Sequence, residues 1–389
     1  MPNTNKITRD LKSIQYELGP SRPPSEARSL LIRATRGCPW HRCEFCSSHR
    51  TMKFELRSVE EIKRDIIAAK AITDKINEES WKLGYGGRYK ELAASVYDNP
   101  PNENFRNVAL WLYFGGENAF LQDANSLIMK TQDLIEVLRF LKEKLPTITR
   151  VTSYARSKTA SNKTLEELKE LKDAGLSRLH IGLESGSDSV LDFVRKGVTA
   201  EDQIKGGQKV VESGISLCEY IMPGLGGKEK SKEHMLETAR VLNAINPDFI
   251  RLRSLAIRED LPLYKRLING EFQLQTDDEV VKEIGELIQR LEVTSEFRSD
   301  HIENLLQEIE GCLPSDKENM LAVVNKYLAL PDEERLNFQL GRRLGYYEGI
   351  DQLKDPYKHE RVERTLNDIR SRGEDFEQVI FSLKRRFLV

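Results

Sequence analysis

Between about residues 30 and 291, short apolar runs alternate with longer amphipathic stretches, and this alternation constrains the fold more than any other feature of the chain. Runs at 30–35, 108–114, 149–154, 178–184, 216–222 and 249–255 read as strands, with helices between them. Three of the helical stretches open with a hydroxyl residue followed by glutamate three positions later: Ser58 and Glu61, Thr164 and Glu167, Thr276 and Glu279. In that pattern the hydroxyl and the carboxylate each satisfy an amide the first turn leaves unpaired. Strand–helix repetition of this kind builds a parallel sheet, because parallel neighbours need a crossover long enough for a helix. Six units fall short of the usual eight-stranded closed barrel. The expected class is therefore α/β, a partial (β/α)6 TIM-like barrel, with an open doubly wound sheet as the alternative. In either, ligands belong at the C-terminal ends of the strands.

The core is expected over 29–291, preceded by an N-terminal arm (1–28) and followed by a mainly helical extension (292–389). Residues 77–106 read as an insertion, rich in Gly84, Gly86, Gly87, Pro100 and Pro101, and of a length typical of functional loops or lids. In the extension, a strand-like run at 293–298 precedes helices near 301–311, 315–330, 332–345 and 359–385. Arg342, Arg343, Tyr346 and Tyr347 either cover a site or simply pack against the sheet.

Lysine and arginine number 60 against 62 acidic residues, and the net charge of −2 creates no field that would collect nucleic acid or anionic lipid. A nucleic-acid substrate would need a local patch such as Lys384-Arg385-Arg386, which by default is a solvated helix end. No run approaches the roughly 18 apolar residues of a membrane helix, and residues 1–6 lack the apolar segment of a signal peptide. The five cysteines do not form a disulfide framework, so a reducing, cytoplasmic setting is expected. Cys218 reads as a small buried hydrophobe and His180 as a core histidine.

Three of the cysteines, Cys38, Cys43 and Cys46, share one short loop directly after the first apolar run. Three thiolates on such a loop can hold three irons of a [4Fe–4S] cluster and leave the fourth open to a ligand. Zinc is the competing reading, since His49 completes a Cys-Cys-Cys-His set. Further polar residues follow the apolar runs. Gly115-Gly116-Glu117 offers exposed backbone and a carboxylate, Ser153 and Arg156 end the third run, and Glu184 ends the fourth, with Lys196 shortly after. Met222 and Pro223 open a glycine-rich turn suited to a flat purine.

In this order, the cysteine loop with Phe45, Gly115-Gly116-Glu117, Glu184-Ser185-Gly186-Ser187 and Pro223-Gly224-Leu225-Gly226 make the chain resemble the radical S-adenosylmethionine (radical SAM) superfamily from about residue 29 to 260. The branch it resembles most shares a core with methylthiotransferases and oxygen-independent coproporphyrinogen oxidases. It departs from the usual pattern in the loop: four residues, Pro39, Trp40, His41 and Arg42, separate the first two cysteines where three are usual.

The resemblance implies that Cys38, Cys43 and Cys46 ligate the cluster and that Phe45 lies near the adenine. It implies that Gly115, Gly116 and Glu117 receive the methionyl ammonium, that Glu184 and Ser153 bind the ribose, and that Arg156 or Lys196 meets the methionyl carboxylate. Met222 and Pro223 belong to the adenine turn. The implied reaction is reductive cleavage of S-adenosylmethionine to a 5′-deoxyadenosyl radical, which takes hydrogen from an unidentified small molecule. A ferredoxin or flavodoxin would supply the electron, and oxygen sensitivity is expected. A non-catalytic haem- or iron–sulfur-handling relative is the alternative.

Cys218 and Cys312 cannot supply a second cluster, which argues against sulfur insertion, and the short N-terminal arm is not expected to hold a cobalamin domain. Arg251 and Arg253 alternate on the sixth run; facing inward they would favour an anionic substrate, facing outward they are surface charge. Ser299-Asp300-His301 either places a general acid or base beside the site, with His301 the candidate, or caps the next helix. Asp300, His301 and Arg253 are the catalytic expectations.

Overall fold

The computed structural model describes residues 14–20, 22–88 and 90–385, so the start of the arm, Tyr89 and the basic end Arg386-Phe387 lie outside the described residues. Among the described residues, ten strands are formed by Leu30–Arg33 (β1), Thr35–Arg36 (β2), Glu55–Leu56 (β3), Asn118–Gln122 (β4), Arg150–Ala155 (β5), Leu176–Glu184 (β6), Ser216–Ile221 (β7), Phe249–Leu252 (β8), Glu296–Arg298 (β9) and Glu310–Cys312 (β10). Eight of them are ordered β1-β4-β5-β6-β7-β8-β9-β10 in one sheet, and β2 pairs with β3 in a separate ribbon. The pairings β1–β4, β4–β5, β7–β8 and β8–β9 are parallel, while β10 returns antiparallel to β9. This is the mixed α/β, mostly parallel architecture expected.

The chain forms two compact units, and β6 passes from the first into the second at residues 180 and 181. The first contains helices Val59–Lys82 (α1), Lys90–Asp98 (α2), Glu103–Tyr113 (α3), Thr131–Lys144 (α4), Ser157–Asn162 (α5) and Leu165–Ala174 (α6). Ser58 and Thr164 cap α1 and α6 with both halves of the reciprocal bond. The buried core of this unit includes Leu30, Ile32, Ile62, Ile66, Phe105, Trp111 and Phe120.

Two expectations fail in this unit. The run at 108–114 is not a strand: it is most of α3, and the strand is the shorter Asn118–Gln122. A continuous apolar run fits a buried helix as well as a buried strand. Asn102, whose side chain accepts from the Phe105 amide, marks the helix start. The stretch 77–106 is likewise no open loop, since it holds the end of α1, all of α2 and the start of α3.

Near the N-terminus, the Gly19 amide donates to Gln122 Oε1 at 2.9 Å and Gln122 Nε2 donates back to the Gly19 carbonyl at 3.1 Å. A Cβ at Gly19 would sit 2.2 Å from Asp123 Oδ1, so this close approach requires glycine.

The second unit contains Asp188–Phe193 (α7), Ala200–Glu212 (α8, all but its last residue), Gly227–Ile245 (α9), Pro262–Ile268 (α10), Asp277–Arg290 (α11), Lys317–Leu328 (α12), Asp332–Arg343 (α13), Pro356–Ser371 (α14) and Phe376–Arg385 (α15). The Thr276 box opens α11. Along β7, β8 and β9, Leu217, Ile221, Ile250, Leu252 and Phe297 share one parity and are all fully buried. Phe249 and Arg251 take the other parity and are half-buried.

The helix expected at 301–311 is irregular chain leading into β10, and the one expected at 359–385 is two helices broken at Gly373. Tyr347 is fully buried, with its hydroxyl on Asn337 Oδ1, and Arg342 donates to the carbonyls of Leu305 and Tyr347. These residues brace the extension from within. Among the described residues, no helix is long and apolar enough to cross a membrane.

Candidate active site

Parallel strands deliver their C-terminal ends to one edge of a sheet, and polar residues following those ends are where chemistry collects. In the first unit, β1 runs through Arg33 toward Gly37 and Cys38. Arg33 donates to Asp123 Oδ2 from Nε at 3.0 Å and from Nη2 at 2.6 Å, and Asp123 Oδ2 also accepts from the Gly37 amide at 3.0 Å. Asp123, the residue after β4, is fully buried. It fixes the backbone immediately before Cys38. Asn125 Oδ1 accepts from the Arg156 amide at 3.2 Å, and the Arg156 guanidinium lies 5.1 Å from the Trp40 ring centre. Ser153 is buried on β5, its hydroxyl donating to the Tyr154 carbonyl at 3.0 Å.

Gly115, Gly116 and Glu117 do not belong to this edge. They precede β4, and the Glu117 carbonyl accepts from the amides of Thr149 and Arg150 at the start of β5. The expectation that they receive the methionyl ammonium is therefore corrected, because they sit at the N-terminal end of the strand. Asp123 and Asn125 occupy the end where ligands bind. The signal for them was the short run Ala119-Phe120-Leu121 followed by Gln122-Asp123, which the longer apolar run at 108–114 obscured.

The second unit carries the remainder of the loop. Cys43 and Cys46 pack against an apolar cluster of Phe45, Val190, Val194, Met222, Leu225, Leu255, Ile257, Leu263 and Phe272. Lys196 Nζ pairs with Glu184 Oε1 at 3.0 Å and lies 5.8 Å from the centre of the Phe45 ring. A Cβ at Gly182 would fall 2.2 Å from Glu184 Oε1 and 3.1 Å from Lys196 Nζ, so glycine opens the space this pair occupies. The Glu184 carbonyl accepts from the Met222 amide at 3.0 Å, joining the end of β6 to the turn that begins at Met222 and Pro223. Phe45, Glu184, Lys196, Met222 and Pro223 are thus gathered in one unit. Glu219 on β7 escaped the sequence reading. It is 1% exposed, and burial pushes its carboxyl well up, with Lys196 opposing that shift and Glu184 adding to it.

All three loop cysteines are half-buried and none is in a disulfide. Among the described residues, no three His, Cys, Asp or Glu side chains are gathered tightly enough to hold a metal ion. A four-iron cube places each thiolate on a different iron, so its ligands are spread wider than those of one ion. The thiolate donor set fits a cluster by its chemistry. The Glu184 and Lys196 cradle, opened by Gly182, fits a ligand that offers hydroxyls.

Asp300, His301 and Arg253 are also brought together in the second unit, although in loops and not at a helix start. Arg251 pairs with Asp300, while Glu303 Oε2 lies 3.8 Å from Arg253 Nε and 3.5 Å from His301 Nδ1. Asn304 anchors their loop to the end of β8, accepting from the Ser254 amide at 2.9 Å and donating to the Leu252 carbonyl at 2.9 Å. Glu303 is buried, which pushes its carboxyl up.

Burial, and then the Arg253 charge, push His301 down to about 4. Its folded value lies below the ordinary 6.5, so the unfolded chain binds more protons between those values, and this group lowers stability as pH falls through that window. The ring should stay neutral at pH 5.5, an expectation checked by NMR titration of the imidazole. A midpoint above pH 6 would contradict it.

Residues 100–240 match the model of the Radical SAM superfamily. The chain carries a radical SAM domain. The cofactors of such a domain are a [4Fe–4S] cluster and S-adenosylmethionine. A tRNA uridine(34) acetyltransferase of Methanocaldococcus jannaschii is 24% identical over 121 residues, 31% of this chain and 22% of that protein. The chain therefore aligns with under a quarter of that curated relative's length. Among solved structures, an N-terminally truncated Elp3 of Methanocaldococcus infernus is 17% identical with a TM-score of 0.42, covering 60% of each chain. Coproporphyrinogen III oxidase (HemN) of Escherichia coli is 14% identical with a TM-score of 0.41, covering 73% of this chain and 54% of the other.

Proposed function

We propose that the chain is a radical SAM enzyme acting by hydrogen abstraction on an anionic small molecule, with Cys38, Cys43 and Cys46 holding the cluster. The observation that carries this reading is the packing of Cys43 and Cys46 on the apolar cluster that contains Phe45, with Lys196, paired to Glu184, 5.8 Å from the centre of the Phe45 ring. When bound, the cluster and S-adenosylmethionine supply reductive carbon–sulfur cleavage and a 5′-deoxyadenosyl radical.

The chain's own residues bind and orient. Glu184, paired with Lys196 at 3.0 Å, accepts from ribose hydroxyls, with Ser153 as the second partner. Phe45 and the turn at Met222 and Pro223 exclude water around the adenine. Arg156 or Lys196 meets the methionyl carboxylate. Arg253 is 44% exposed and its nearest carboxylate is 3.8 Å away, which leaves it able to take an anionic substrate group. Neutral His301, held beside Glu303, can accept a proton there, and Asp300 keeps Arg251 in place. A ferredoxin or flavodoxin is the proposed electron donor.

The test is anaerobic reconstitution with iron and sulfide, reduction with S-adenosylmethionine present, and chromatography for 5′-deoxyadenosine. Wild type should form it and Cys43→Ala should not. Zinc binding in place of a cluster, or a cluster that leaves the cofactor intact, would overturn the reading.

A further inference from the structure

Glu44 lies between Cys43 and Phe45, and every polar group it has is engaged. Its amide donates to the Val194 carbonyl at 2.9 Å, and its carbonyl accepts from the Leu263 amide at 3.1 Å. Its carboxylate accepts from Arg266 Nε at 2.6 Å and Nη2 at 3.0 Å, and Arg195 Nε lies 3.0 Å from Oε1. Glu44 is 5% exposed. A carboxylate so buried is tolerated only with strong partners, and here two guanidinium groups meet it, of which Arg266 also lies 3.8 Å from Glu271 Oε2. Arg266, on α10, is itself fixed by stacking 4.3 Å from the Phe193 ring centre at the end of α7. The Cys46 amide closes the turn on the Cys43 carbonyl at 3.3 Å. The peptide between the two cysteines is therefore tied to the α7 end and to α10 through both backbone and side chain.

We propose that Glu44, gripped by Arg195 and Arg266, is the positioning residue that sets Cys43 and Cys46 in ligating register after the four-residue interval Pro39 to Arg42, and that the positive charge of Arg195 favours the reduced cluster. The proposal rests on the reading that these cysteines carry a [4Fe–4S] cluster. Reduction adds one electron to the cluster from the external donor, and a neighbouring positive charge stabilises the more negative product.

The first measurement uses the full chain without cluster, following alkylation of each cysteine by N-ethylmaleimide with peptide mass spectrometry. Glu44→Ala should speed Cys43 and Cys46 by about tenfold, as a freed turn opens more often, and leave Cys38 within about twofold. After anaerobic reconstitution the same variant should retain less than about half the wild-type iron and sulfide. Arg195→Ala removes a side chain that is 66% exposed, so the fold is kept if Glu44→Ala does not fold. This variant should load a full cluster whose midpoint potential, followed by electron paramagnetic resonance, moves to a more negative value.

Unchanged alkylation in Glu44→Ala overturns the positioning role, and an unchanged or raised potential in Arg195→Ala overturns the electrostatic one. A wild-type chain that takes up no cluster defeats the underlying reading instead, and the alkylation rates still decide whether Glu44 positions the two thiols.

Discussion

Asp123→Ala should cost about 3–5 kcal/mol of unfolding free energy, the range for removing one partner of a buried ion pair. The Arg33 side chain is 7% exposed and, among the described residues, would keep Glu17, at 2.7 Å, as its carboxylate partner. The Gly37 amide would lose its acceptor one residue before Cys38. Urea denaturation measures the first loss, and iron content after reconstitution measures the second.

Glu117→Ala is the contrasting variant. Glu117 is exposed at the N-terminal end of β4, so its removal should change stability by less than about 0.5 kcal/mol. Formation of 5′-deoxyadenosine should also survive within about twofold, since tenfold would require a lost interaction worth about 1.4 kcal/mol. A Glu117→Ala chain that loses this activity while Asp123→Ala keeps it would reverse the assignment of the two strand ends.

The second large effect is expected at the anchor of the C-terminal helix. Asp277, the first residue of α11, accepts from Arg343 Nη2 at 3.0 Å with each carboxylate oxygen and also pairs with Lys384 on α15. Asp277 and Arg343 are buried, and the Lys384 side chain is 11% exposed. Burial alone would raise the Asp277 carboxyl, but the two cations outweigh it and hold the group at about 2.

Asp277→Ala would leave a guanidinium and an ammonium together without their anion, at a cost of about 3–5 kcal/mol. Hydrogen exchange should show α15 opening first, because Lys384 is a main polar tie of that helix. Because the folded value is depressed, the stabilisation is complete above about pH 4 and is lost as pH falls toward 2. A variant within about 1 kcal/mol of the parent, with unchanged exchange over 376–385, would show that packing of Ile380, Phe381 and Leu383 holds the helix without the charges.

Local chemistry made several elements readable. Ser58, Thr164 and Thr276 each start the helix their spacing announces, because capping is decided within four residues. The strands bearing Glu184 and Cys218 lie where the short apolar runs between amphipathic stretches put them. The run at 108–114 was misread because a fully buried helix and a fully buried strand share an uninterrupted apolar pattern, and only contacts with the rest of the core distinguish them. That error carried Glu117 to the wrong end of β4 and hid Asp123.

By itself the sequence determined the α/β class, the three thiols on one loop and the carboxylate at the end of β6, since each rests on short-range pattern and residue chemistry. Tertiary structure alone decided that Asp123 holds the backbone before Cys38, that Arg195 and Arg266 grip Glu44, and that Arg343 and Lys384 close on Asp277. Those partners are separated by 66 to 222 residues where hydrogen bonds join them, as in Arg343 to Asp277 and Arg266 to Glu44. A charged side chain gives no local sign of which distant opposite charge will repay its burial, because that choice is made only when the core closes around both.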